Sequence, residues 1–180
     1  MVVAAFSVIS LSAVFLVVTA LTGSEMTRVA PKFAKNLPPY VCMIFSEASS
    51  GSVFLEDRPD SAKVAAGMLT CFGGKREADE SPLQCIKREI NEELGISPPS
   101  DDGFHRAVDL FVDGKLIAWF FEGPAPARNA PLVFEAGRRG VWLGRDNPDS
   151  ADAARVSPWH AVVLKAWRDG ESRADFITEP

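Results

Sequence analysis

Residues 73–96 read GGKREADESPLQCIKREINEELGI, and the fold and chemistry of the chain turn on this stretch. Ser81 is a natural N-cap, Pro82 suits the first helical position, and Gln84 stands where a capping box needs its partner. Leu83, Ile86, Ile90 and Leu94 recur at helical spacing, and Gly95 suits the residue just past the helix end. The helix therefore carries Arg88, Glu89, Glu92 and Glu93 beside its apolar stripe. Glu89 and Glu93 share a face and Glu92 lies next to them, a spacing at which like charges repel unless something offsets them. Two readings are open at this point. One is a divalent-cation site, since carboxylate oxygens are what Mg²⁺ prefers, with Gly73-Gly74 as a turn where backbone approaches a ligand and offers a carbonyl. The other is a capped surface helix with an acidic outer face.

Upstream, Tyr40–Glu47 (YVCMIFSE) is an apolar, β-rich run, and Ser49–Ser52 (SSGS) is a hairpin-type turn into VFLEDR at Val53–Arg58. The run from Val64 to Phe72 reads as one or two short strands ending at Gly73-Gly74. Downstream, Pro98–Gly103 is a loop, and His105–Val112 and Lys115–Glu122 are strands joined at the Asp113-Gly114 turn. Gly123–Gly140 reads as a long surface loop and Val141–Leu143 as a short strand. Ser157 caps a last helix to about Arg168, with Pro158 at its first position and an apolar face of Ala161, Val162, Leu164 and Ala166. Strands, a helix, more strands and a final helix predict an α/β sandwich on a mixed sheet rather than a regular βαβ array.

The 180 residues suit one domain, and 47% hydrophobic with 24% charged residues predicts a packed core rather than a disordered chain. A net charge of −5, from 19 basic and 24 acidic residues, argues against a nucleic-acid polymer as partner, which would need a basic surface. A free nucleotide is compatible with that charge, because a bound metal supplies local positive charge. Cys42, Cys71 and Cys85 form no CxxC pair and read as buried hydrophobes in a reducing compartment. The two histidines, His105 and His160, stand apart, which speaks against zinc.

The segment Gly74–Ile96 resembles the signature of the Nudix hydrolases. That pattern is G, five residues, E, seven residues, REU, one residue, EE, one residue, G, U, where U is a bulky aliphatic. Here it reads G74-KREAD-E80-SPLQCIK-R88-E89-I90-N91-E92-E93-L94-G95-I96, a match at every fixed position. The resemblance implies an α/β/α sandwich around a mixed β-sheet and hydrolysis of a nucleoside diphosphate linked to another moiety X. It implies Mg²⁺, with Mn²⁺ as a substitute, held by Glu89, Glu92 and Glu93 and by the carbonyl of Gly73. Glu80 and Arg88 would form the ion pair tying the loop to the helix, with Arg88 at the catalytic centre. Glu135, in the loop before the last predicted strand, is nominated as base or further ligand, and Arg58 as a phosphate contact. Either Glu89 or Glu135 would take the proton from the attacking water.

Members of the family that act on ADP-ribose often carry a proline past the box, and those acting on diadenosine polyphosphates a tyrosine. This chain has Leu110, Phe111 and Val112 in that region. The expected substrate is therefore a small ordinary or oxidised (deoxy)nucleoside triphosphate, cleaved to the monophosphate and pyrophosphate. Trp119, Phe120 or Phe121 would offer a surface for base stacking. The alternatives are ADP-ribose, a nucleotide sugar, a dinucleoside polyphosphate or coenzyme A, and a Nudix-fold protein that binds a nucleotide without cleaving it. A homodimer is left open.

Residues 2–24 carry no charge and are long enough to cross a hydrocarbon core. They read as a leader (1–25) ahead of a catalytic domain at 38–180. The leader is a membrane anchor, a signal segment, or the product of a start set upstream of Met26. As an anchor, the basic residues Arg28, Lys32 and Lys35 would leave the domain on the cytoplasmic side, so the cytoplasm is the expected location.

Overall fold

The computed structural model describes residues 36–97, 100, 103–145 and 150–179, so the leader lies outside the described residues. Strand β1 (Tyr40–Ser46) is the centre of the sheet. Its first half, Tyr40 to Met43, pairs antiparallel with β4 (Phe72–Lys75), and its end, Phe45 and Ser46, pairs with β2 (Val53–Asp57). On its other side β1 runs parallel to β6 (Lys115–Pro124). Strand β6 then pairs antiparallel with β5 (His105–Val112), and β5 runs parallel to β8 (Arg173–Phe176). On the opposite flank β2 pairs antiparallel with both β3 (Leu69–Thr70) and β7 (Arg139–Leu143). The sheet is therefore mixed.

Alternation along β1 divides the core into two layers. Val41, Met43 and Phe45 pack with Cys85, Ile86, Ile90 and Leu94 of helix α1 (Pro82–Leu94). Cys42 and Ile44 face the other way, toward Val163, Leu164 and Ala166 of helix α3 (Pro158–Arg168). Successive strand residues point to opposite faces, so a strand apolar on both faces needs a helix over each. The result is the α/β/α sandwich.

Helix α1 begins as its residues dictate. The Ser81 side chain accepts from the Gln84 N–H, the Gln84 side chain accepts from the Ser81 N–H, and Gly95 ends the helix with φ +64°. The Asp113-Gly114 turn has positive φ at both residues, +47° and +77°, the geometry of a tight hairpin turn. The three cysteines are free and buried.

Several expectations need correction. Gly73 and Gly74 lie inside β4 rather than beyond a strand, and only Leu69–Thr70 of the run from Val64 is extended before it. The α3 face is shifted: Val163 is buried where Ala161 is exposed, and Ser157 makes no side-chain cap hydrogen bond. Helix α2 (Ala151–Ala154) and strand β8 were not expected. Strand β8 is only four residues long and owes its conformation to β5, with which it pairs from Asp109 opposite Arg173 to Val112 opposite Phe176. Phe120 and Phe121 are core residues on opposite faces, buried against α3 and α1 respectively, and offer no stacking surface. Among the described residues no helix is long and apolar enough to cross a membrane.

Ile90 is wholly buried between α1 and β1. Its truncation in Ile90→Ala is expected to cost about 2–5 kcal/mol in urea unfolding. A cost below about 1 kcal/mol would mean that α1 does not pack as described.

Candidate active site

The packed stripe of α1 fixes which of its polar residues meet β4. Glu93, 8% exposed, sits where the helix runs over the strand, and its Oε2 accepts a hydrogen bond from the Gly73 N–H at 2.9 Å. This approach needs glycine. Gly73 has φ +132°, and a Cβ there would stand 2.3 Å from the Val41 carbonyl oxygen. At Gly74 a Cβ would stand 2.3 Å from Glu89 Oε1. The backbone of β4 thus lies directly against two carboxylates of the helix.

Two guanidinium groups organise the carboxylates around this contact. Arg88 meets Glu80 through a fork, with Nε to Oε1 and Nη2 to Oε2 both 3.0 Å. Its Nη1 donates to Glu89 at 2.8 Å and to Glu92 at 3.1 Å, and Nη2 reaches the Lys75 carbonyl at 3.3 Å. Arg138 donates through Nη1 to Glu93 Oε1 at 3.1 Å and to Glu56, and its Nε pairs with Glu135 Oε2 at 2.9 Å. Glu56 is 1% exposed and also accepts from Thr70 Oγ1 at 3.1 Å and Arg58 Nη1 at 2.9 Å.

The electrostatics follow from these contacts. Hydrogen bonds from Arg88 hold the Glu80 carboxyl below its ordinary range. Burial raises Glu89, against the pull of Arg88. Burial, reinforced by the neighbouring charge of Glu56, pushes Glu93 up to about 8, although the Gly73 N–H and Arg138 act the other way. Six carboxylates (Glu56, Glu80, Glu89, Glu92, Glu93 and Glu135) are served by three guanidiniums (Arg58, Arg88 and Arg138). Such a surplus of negative charge, part of it out of water, suits a small hard cation with oxygen ligands. Among the described residues no three acidic or ligating side chains converge on one point, because Arg88 and Arg138 stand between them.

A model of the NUDIX domain matches residues 36–177. The chain belongs to the Nudix hydrolase family. An 8-oxo-dGTP diphosphatase from Escherichia coli is 33% identical over 72 residues, 40% of this chain and 55% of that relative, little more than half its length. An 8-oxo-dGTP diphosphatase from Haemophilus influenzae is 29% identical over 63% of this chain and 79% of its own. A CTP pyrophosphohydrolase from E. coli is 29% identical over 65% and 82%. Among solved structures, a MutT mutator protein from Bacillus halodurans superimposes with a TM-score of 0.57 at 18% identity, covering 80% of this chain and 92% of that one. At this identity the likeness concerns the fold.

Within the Nudix frame, the structure gathers the nominated residues unevenly. Glu89 and Glu92 share Arg88, while Glu93 and Glu135 share Arg138. The Glu135 side chain is 65% exposed and stands at the rim. Arg58 is held by Glu56 and by the Val64 carbonyl, the latter 2.9 Å from its Nε. Trp119 lies under the Arg106 guanidinium, 3.5 Å from the ring centroid. Sequence reasoning missed Glu56 and Arg138. Glu56 is the one available hint, a carboxylate inside the apolar run VFLED, where burial demands a cation.

The raised Glu93 makes a pH test direct. The folded protein keeps a proton that the unfolded chain releases near 4.5, so folding favours the protonated form. Stability from this group is fully present below about 4.5 and falls as pH rises toward 8. In chelator, the unfolding free energy of wild type minus that of Glu93→Gln is expected to drop across this window in urea titrations. A difference independent of pH would mean that Glu93 ionises alike in both states.

Proposed function

We propose that this Nudix hydrolase cleaves a small nucleoside triphosphate, ordinary or oxidised, into the nucleoside monophosphate and pyrophosphate, through a domain spanning 38–180. The observation that carries the reading is the surplus of carboxylates gathered where α1 crosses β4. The relatives' activities toward 8-oxo-dGTP and CTP support this substrate class. Glu89, Glu92 and Glu93, with the Gly73 carbonyl, are the groups that would hold Mg²⁺, or Mn²⁺ in its place. Bound there, the ion supplies neutralising charge at the diphosphate and a lowered pKa for the attacking water.

The chain's own residues do the remaining work. Glu89, whose affinity for a proton burial has raised, or Glu135 at the rim accepts the proton that the attacking water loses. Arg88 neutralises Glu80 and fixes the orientation of Glu89 and Glu92. Arg58, already turned toward the site by Glu56, contacts a substrate phosphate. Trp119 is the aromatic residue of β6 left for the base, because Phe120 and Phe121 are buried. No covalent enzyme intermediate is called for.

The test is phosphate or pyrophosphate release with Mg²⁺ over ordinary and oxidised (d)NTPs, ADP-ribose, nucleotide sugars, dinucleoside polyphosphates and coenzyme A. A (d)NTP is expected to be preferred by about tenfold or more, a difference of about 1.4 kcal/mol in transition-state binding. Preference for another class would overturn the substrate. Retained nucleotide binding without turnover would make the chain a sensor. Glu93→Gln is expected to lower kcat by at least about 10²-fold with the fold intact, the scale for loss of a positioned charged group. Near-wild-type turnover would remove Glu93 from the site. Deleting residues 1–25 is expected to leave turnover unchanged, and an inactive truncation would move the domain start.

A further inference from the structure

Glu56 and Arg138 lie outside the Nudix box, yet they form an ion pair in direct contact with its Glu93. Glu56 comes from β2, where it is flanked by β3 and β7, and its carboxylate already has three donors: Thr70 Oγ1, Arg58 Nη1 and Arg138 Nη1. A carboxylate so satisfied is poorly placed to take a proton from water. Its effect must pass through the groups that it holds.

Arg138 is the more informative of those groups. It sits at the end of a turn in which the Arg138 N–H donates to the Glu135 carbonyl at 3.0 Å, with Gly137 at φ +81°. That turn brings the side chains of Glu135 and Arg138 together, 2.9 Å apart at Oε2 and Nε. The next residue, Arg139, opens β7 and pairs with Asp57, so the loop is clamped to β2 immediately beyond the turn. A guanidinium is planar and presents donors in a rigid fork, so anchoring one nitrogen on a buried carboxylate sets the direction of the others. Here Nη1 is anchored on Glu56 and Glu93, and Nε is thereby aimed at Glu135.

We propose that Arg138, anchored on the buried Glu56, is a positioning device that holds the loop carboxylate Glu135 on the guanidinium that Glu93 also contacts. Neither residue touches the reacting atoms. Arg138 is a positioning residue, and Glu56 is its anchor. The same anchor orients Arg58, so one carboxylate sets both the loop and a phosphate-facing arginine. This inference rests on the reading of Glu93 and Glu135 as working residues of the hydrolase.

The experiment is a double-mutant cycle on the full chain with the preferred nucleotide and Mg²⁺, read beside hydrogen exchange of the 133–138 amides. Glu135→Gln is expected to lower kcat by about tenfold or more in wild type, as for a displaced acid–base group. In the Arg138→Met background the same change is expected to cost less than about twofold, because Glu135 is no longer held. Arg138→Met alone is expected to lower kcat while KM moves little, since ground-state binding is not what it supplies. Equal Glu135→Gln penalties in both backgrounds, or a loss confined to KM, would overturn the proposal. Arg138→Lys keeps a positive charge beside Glu56 but has no fork, so it gives the same loss of coupling should the methionine variant fail to fold. If wild type turns over no nucleotide, the functional reading fails and hydrogen exchange decides the positioning claim alone. Faster exchange at 135–138 with α1 unchanged upholds it, and unchanged exchange in that turn overturns it.

Discussion

The hydrogen bond from the Gly73 N–H to Glu93 joins the strand that carries Gly74, the first residue of the box, to the helix that carries its carboxylates. It forms only because Gly73 adopts φ +132° against Val41, and because Ile86, Ile90 and Leu94 hold α1 close over β1. Packing thereby places a carboxylate where water barely reaches it. Low polarity strengthens every interaction made there and penalises any charge left alone. Much of the remaining site answers that penalty.

The answer comes as two arginine centres of different kinds. Arg88 belongs to the helix and gathers Glu80, Glu89 and Glu92 near solvent, where ion pairs contribute little to stability but fix geometry. Arg138 comes from the loop before β7 and reaches inward to Glu56 and Glu93, where removing a partner would strand a buried charge. Asp57, next in β2 and facing the opposite layer, is held in turn by Arg139 and Arg155. Strand β2 is therefore tied to the β7 segment by ions on both of its faces as well as by their ladder.

The frame is shared with proteins of quite different sequence. The B. halodurans structure superimposes over 80% of the chain at 18% identity. Such divergence is tolerated because hydrophobic pattern and volume suffice to stack two helices on a twisted sheet. The electrostatic demand at the buried end of the site is met by particular residues, among them Glu56 and Arg138. Both lie outside the signature by which the family is recognised.

What the sequence by itself determined is whatever is encoded locally. The cap at Ser81, the stripe through Ile86, Ile90 and Leu94, and the Asp113-Gly114 turn are short-range devices, legible because their partners lie within a few residues. The box glutamates were legible for the same reason, since one helical turn places Glu89, Glu92 and Glu93 together. Tertiary structure alone decided that Gly73 and Gly74 lie within a strand, and that β8 exists. It decided too that Phe120 and Phe121 face opposite layers of the core, and that Glu56 and Arg138, separated by 82 positions, meet beneath Glu93. In each case the deciding partner is remote in sequence. A four-residue strand has no pattern of its own until a neighbour supplies hydrogen bonds, and a buried carboxylate does not name its cation until the chain has folded around both.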